Sequence, residues 1–212
     1  MDLIDISLPL MTDYSTWPNG MRCIVRPCQG SAYTGEFKIT EIHTPTQVGT
    51  HIDAPSHYAN DGGSIDTVPL TAFFGLASVL DLSTLETDMI MVDQCARDWE
   101  WPKIIIIKTR ASSQWHNCIF PEDYPVLSIE ALEYLISKGM SSLAVDAPSV
   151  DKFDCKIPHA HSLLYQNGIH IMECANLYAV KEGHYEMVAF PLKIKGADGS
   201  PVRAVLRIIE GK

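Results

Sequence analysis

The stretch QVGTHIDAPSH gathers Gln47, His51, Asp53 and His57 within eleven residues, four side chains able to bind a metal ion or move a proton. In an extended or bent segment alternate residues share a face, so His51 and Asp53 project together, and an offset of four brings Gln47 and His57 towards the same rim. An imidazole and a carboxylate on one face form a natural site for a divalent cation. Gly49 lets the backbone approach a ligand closely, and Pro55 ends regular strand pairing and turns the chain after the site. Taken singly, each of these residues reads better as a surface-loop histidine or a turn-forming aspartate. Their density in one segment argues instead for a site.

A second polar set, His159, His161 and Glu173, lies far downstream, with Glu173 inside the apolar run IHIMEC. A carboxylate buried without a partner is costly, so Glu173 calls for a nearby cation. The plainer alternatives are a strand-end glutamate facing solvent and an ion pair with Arg203 or Lys181. His43, His116, His170 and His184 read as ordinary strand or surface residues, and Trp99, Trp101 and Trp115 as packing or interface residues. The six cysteines form no CxxC pair, so they read as small buried apolar side chains kept reduced rather than as a disulfide framework or zinc finger.

The elements that must hold these groups are mostly strands. LIDISLPL, CIVRP, FKITEIHTPT, ASVLDLS, KIIIIKTR, SSLAVDAP, IHIMEC, MVAFPLKI and VRAVLRIIE are β-rich runs. Ser128 caps a helix over IEALEYLISKG that stops at Gly139, and AHSLLYQNG predicts a second helix ending at Gly168 with His161 facing inward. Strand and helix alternate from KIIIIKTR to IHIMEC, which predicts an α/β chain with a mixed β-sheet core packed by a few helices. No repeat or low-complexity run divides the 212 residues, so residues 1–212 read as one domain large enough to bury a sizeable core.

The formal net charge of -10 excludes the concentrated basic surface that binding to nucleic acid requires. MDLIDISLPLM has neither a basic leader nor a long apolar segment, so a cytoplasmic chain without a membrane partner is expected.

GTHIDAPSH resembles the signature HxGTHxDxPxH of the cyclase superfamily of metal-dependent hydrolases, which includes bacterial kynurenine formamidases and isatin hydrolase. Supporting pieces run through nearly the whole chain: DISLPL, the turn WPNG at Trp17 to Gly20, GGSIDTVPL, VDAPSVD, the pair His161 and Glu173 twelve residues apart, and DGSPVRAVL. The resemblance implies a fold of the swivelling β/β/α kind and a homodimer or larger homo-oligomer, for which RDWEWP is a candidate interface. It implies that His51, Asp53 and Glu173 bind the catalytic metal, that His57 transfers protons, that His161 holds a second metal where there is one, and that Trp17 forms an aromatic wall for the substrate. The motif's first histidine is Gln47 here. An amide oxygen is a weaker donor to zinc than an imidazole, so a single manganese or zinc ion per chain is expected, with Gln47 and His161 serving it or binding water or substrate.

The reaction so implied is hydrolysis of an amide, lactam or ester carbonyl in a small aromatic or cyclic molecule by metal-activated water. His57 would move the proton, a task suited to a group that titrates near neutrality. Two other readings stay open: a metal-dependent cyclase or lyase acting through an enolate, and a non-catalytic metal or small-ligand binding protein. Retention of His57 argues against the last, since a pure binding site needs no proton shuttle. Neither Cys155 nor Cys174 has the partners of a thiol nucleophile.

Overall fold

Four consecutive isoleucines form the centre of the protein. The computed structural model describes residues 2–13, 17–18, 20, 22–28, 38–117 and 119–209, so Met1, Asn19, Phe37, Cys118 and Glu210 of the segments above lie outside the described residues. Strand β7 (Ile104–Lys108) is buried along Ile104 to Ile107. Ile104 and Ile106 pack with Ala144, Met172, Ile52 and Leu206 in one core, while Ile105 and Ile107 pack with Leu143, Val145, Ile171, Leu132 and Leu164 in the other. A strand covered on both faces carries a continuous apolar run instead of an alternating one, which explains its sequence.

Around β7 the main sheet runs β1 (Leu3–Asp5), β12 (Gly199–Ile208), β11 (Gly183–Pro191), β5 (Phe74–Asp81), β7, β9 (Ser142–Val145), β10 (His170–Glu173) and β4 (His51–Asp53). Strands β5, β7, β9 and β10 pair in parallel and the other pairs are antiparallel. Because β4 pairs with β12 as well as β10, the sheet closes on itself, with β1 laid along the other end of β12. The result is a single α/β domain with a mixed sheet core. Two small sheets lie outside it, β2 (Ile24–Pro27) with β3 (Thr40–His43) and β6 (Met89–Ile90) with β8 (Val126–Leu127).

Helices α1 (Val92–Cys95), α2 (Ala111–His116), α3 (Ile129–Ser137) and α4 (His159–Gln166) complete the fold. Helix α3 starts as expected, with the Ser128 hydroxyl accepting from the Ala131 amide. Helix α2 was not readable from ASSQWH, which has no apolar period. Its start is fixed from outside, by the buried Asp146 carboxylate, which accepts from the Thr109 amide at 2.7 Å, the Thr109 hydroxyl at 2.8 Å, the Ser112 amide at 3.1 Å and the Ser112 hydroxyl at 2.6 Å. Asp146→Ala leaves four donors without their acceptor. It should therefore lower stability by about 3 kcal/mol or more, at about 1–3 kcal/mol per buried unsatisfied group. Urea denaturation measures this, and a loss below about 1 kcal/mol would contradict it.

Among the described residues no helix is long and apolar enough to cross a membrane. Cys23, Cys95 and Cys174 are buried free thiols, but Cys155 is exposed, contrary to the reading of every cysteine as a core residue.

Candidate metal centre

The alternation of β4 separates its two jobs. Ile52 points into the core inside the closed sheet, so His51 and Asp53 point the other way. On the neighbouring strand, Met172 shares the core with Ile52, and Glu173 is the antiparallel cross-strand partner of His51. Helix α4 packs over this outer face and brings His161 to it. His51, Asp53, Glu173 and His161 are all buried, between 1% and 8% exposed.

His51 and His161 each face both Asp53 and Glu173. His51 Nε2 lies 3.5 Å from Asp53 Oδ1 and 3.5 Å from Glu173 Oε2, and His161 Nε2 lies 3.6 Å from Asp53 Oδ2 and 3.5 Å from Glu173 Oε1. These distances are too long for hydrogen bonds. They match two ligands on one ion, which at about 2.1 Å from a tetrahedral centre sit about 3.4 Å apart. His51, Asp53 and Glu173 each offer a ligand atom, all within 4.8 Å of one another.

The residues fit a cation on a further ground: both Asp53 oxygens are buried without a hydrogen-bond partner. A buried carboxylate with no donor is one of the costliest arrangements in a protein, and a metal ion relieves it. The histidines are already set to serve. His51 Nδ1 donates to the Gly49 carbonyl at 2.8 Å and His161 Nδ1 to Asp151 Oδ2 at 2.7 Å, which leaves each Nε2 lone pair facing the carboxylates. Gly49 has φ of 69°, a left-handed conformation that turns its carbonyl onto the imidazole, and a Cβ there would lie 2.9 Å from Leu10 Cδ2. Its freedom serves this turn; the side chain it accommodates is Leu10.

Without a cation the site attracts protons instead. Burial opposes charge on His161, but the hydrogen bond to Asp151 and the nearby Asp53 and Glu173 carboxylates outweigh it and push its pKa up to about 12. His51 is likewise raised well above the ordinary histidine value, since Cys174, Glu173 and Asp53 together outweigh burial. Burial would raise Glu173, yet His161 and His51 hold it well below the usual carboxylate range.

Asp151 was missed as a site residue although VDAPSVD contains it. Its carboxylate also accepts from the amides of Ala160 at 2.9 Å and His161 at 3.1 Å, so one side chain caps α4 and orients the histidine on it. Asp151→Asn should lower metal-dependent activity by about 10–100-fold with the ion retained, the usual effect of losing a group that orients a side chain at a metal centre. Turnover and metal content measured on the same sample test this; unchanged turnover would remove Asp151 from the positioning of His161.

The remaining expected residues lie on the walls of a cavity of about 310 Å³ lined by Trp17, Gln47, His51, His57, Pro148, Ser149, His161 and Glu173. The Gln47 amide donates to the Asp198 carbonyl at 3.2 Å, and His57 is exposed on a 3-10 turn (Pro55–His57) at the rim. Trp17 stands 4.8 Å from Phe153 and 6.1 Å from Phe120, ring centroid to centroid, in an aromatic wall. The Gly20 amide donates to the Trp17 carbonyl at 2.9 Å. His159 is exposed at the start of α4, away from this group, and Arg203 pairs with Asp5 rather than with Glu173.

The chain is similar to known proteins along nearly its whole length. A kynurenine formamidase from Bacillus cytotoxicus is 37% identical over 96% of this chain and 96% of its own length, and one from Bacillus mycoides is 35% identical over 97% of both. Among solved structures, a potential metal-dependent hydrolase with cyclase activity matches with a TM-score of 0.84 at 26% identity, covering 99% of each chain. Isatin hydrolase A from Labrenzia aggregata matches with a TM-score of 0.80 at 26% identity, covering 99% of this chain and 94% of its own. The family model described as "Putative cyclase" matches residues 4–152, which include His51, Asp53 and His57, and the chain belongs to that family.

Proposed function

We propose that this protein is a metal-dependent hydrolase that cleaves the amide, lactam or ester carbonyl of a small aromatic or cyclic molecule, with an arylformamidase or cyclic amidase activity. The observation that carries the proposal is the buried Asp53 carboxylate, which has no hydrogen-bond donor and is flanked by two histidine nitrogens already turned towards it. The kynurenine formamidase and isatin hydrolase relatives support the substrate class.

In this reading His51, Asp53 and Glu173 hold one manganese or zinc ion. When bound, such an ion acidifies water from a pKa of about 15.7 towards about 7 and polarises a carbonyl. His57 accepts the proton of the attacking water and returns it to the leaving group. Gln47 and His161 face the same cavity and bind water or the carbonyl oxygen, while Trp17, backed by Phe153, takes the substrate ring. A second ion is favoured by one observation: each carboxylate turns one oxygen to His51 and the other to His161, which makes two donor sets. Metal analysis decides between one and two ions per chain.

The test is a panel of N-formyl aryl amines, isatin-like lactams and simple esters, assayed on stripped protein with manganese and zinc separately. Metal-dependent hydrolysis of at least one class is expected. A product formed without addition of water would assign a lyase, and no turnover with either metal would leave a binding protein.

The chain is also proposed to work in the cytoplasm as a homodimer or larger homo-oligomer. Trp99 and Trp101 of RDWEWP pack on each other, with ring centroids 5.8 Å apart, but Trp101 borders a groove with the exposed Phe74 and Leu76. That apolar edge is a better contact than the tryptophans alone. Light scattering that finds a 23.5 kDa monomer at micromolar concentration would refute self-association.

A further inference from the structure

We propose that Asp198 is a positioning residue for His57, holding the imidazole in the tautomer and orientation of a base; this rests on the reading of His57 as the proton carrier. His57 sits on a one-turn 3-10 segment with its side chain 37% exposed, so its own turn does little to fix it. The groups that face it are Asp198, Tyr58 and His161. The two rings lie 6.1 and 6.4 Å away, centroid to centroid, and Asp198 Oδ2 lies 3.2 Å from His57 Nδ1.

Asp198 is itself anchored from several directions. Its Oδ1 accepts from the Thr46 hydroxyl at 2.6 Å, and its carbonyl accepts from the Ala54 amide at 2.9 Å and from the Gln47 side chain at 3.2 Å. The next residue, Gly199, begins β12 opposite Asp53, and a Cβ there would lie 2.5 Å from Gln47 Nε2. The end of the β11–β12 connection thus grips both ends of the 47–57 segment at once. A carboxylate fixed in this way does two things for the imidazole. It accepts the Nδ1 proton, which leaves the Nε2 lone pair to take a proton from water, and it stabilises the imidazolium until Nε2 gives that proton to the leaving group. Asp198 stays ionised throughout, as its lowered pKa allows: burial would raise it, but the bonds from Thr46 and His57 prevail.

The test combines a spectroscopic and a kinetic readout on the full chain. Nitrogen NMR of histidine-labelled protein, with the His57 signals assigned by their loss in His57→Ala, should show neutral His57 protonated on Nδ1. In Asp198→Ala the Nε2–H tautomer should become populated, and Asp198→Glu should restore Nδ1–H. With a panel substrate, Asp198→Ala should lower kcat by about 10–100-fold, part of the about 100–10,000-fold that general acid–base catalysis contributes, with KM and metal content unchanged. Glutamate should recover part of that loss. Wild-type His57 protonated on Nε2 would overturn the proposal whether or not any substrate is turned over, and so would an unchanged tautomer and kcat in Asp198→Ala. A silent panel with the expected tautomers would instead sink the hydrolase reading and leave the Asp198–His57 pair standing.

Discussion

Glu173→Gln is expected to cost the protein its tight hold on a divalent ion, by more than the roughly 10–100-fold that follows loss of an orienting group. Glu173 is 5% exposed, and its Oε1 already accepts from the Val150 amide at 2.9 Å. A glutamine keeps its oxygen on Val150, because that donor demands an acceptor. Its amide nitrogen then faces His51 Nε2, where a carboxylate oxygen stood at 3.5 Å. One negative charge is lost and a donor replaces a ligand, in a place screened from water where charge counts most. The fold should survive, since shape and the Val150 bond are retained. Metal analysis and calorimetric titration with manganese and zinc measure the effect, and unchanged affinity would remove Glu173 from the ligand set.

Much of this centre could be read from the sequence, for reasons that are local. The period of two along a strand put His51 and Asp53 on one face, and Glu173 stood out as a charge in an otherwise apolar run. The isoleucine run and the Ser128 cap likewise signalled a buried strand and a helix start. What stayed hidden depends on contacts distant in sequence. No local pattern sets the register that pairs Glu173 with His51, or the pairing of β4 with β12 that closes the sheet. Asp151 and Asp198 lie in VDAPSVD and DGSPVRAVL without a local sign of their role, because the same short carboxylate that stabilises a turn can orient an imidazole. Helix α2 takes its start from Asp146, a residue of another segment, so its own letters are silent.

The change from histidine to Gln47 bears on chemistry more than on folding. Gln47 is held by the Asp198 carbonyl, at the rim of the cavity it shares with His51 and His161. A neutral amide there leaves two imidazoles and two carboxylates as the strong donors. With both carboxylates ionised, one divalent ion balances their charge, whereas a second would bring two positive charges that Asp53 and Glu173 do not offset. That balance favours the single-ion reading even though the geometry offers two donor sets.

His57→Ala is expected to keep its metal and lose most of its hydrolytic rate, about 100–10,000-fold, the usual contribution of a general acid–base group. The expectation follows from where the side chain is. His57 is exposed at the cavity rim and bonds to Asp198, whereas His51, Asp53, Glu173 and His161 are buried and face one another. A residue outside the ligand set can be removed without disturbing the ion. Metal content and turnover measured on the same sample separate the possibilities. Loss of metal in parallel with activity would make His57 a ligand, and an unchanged rate would leave the proton to be moved by another group.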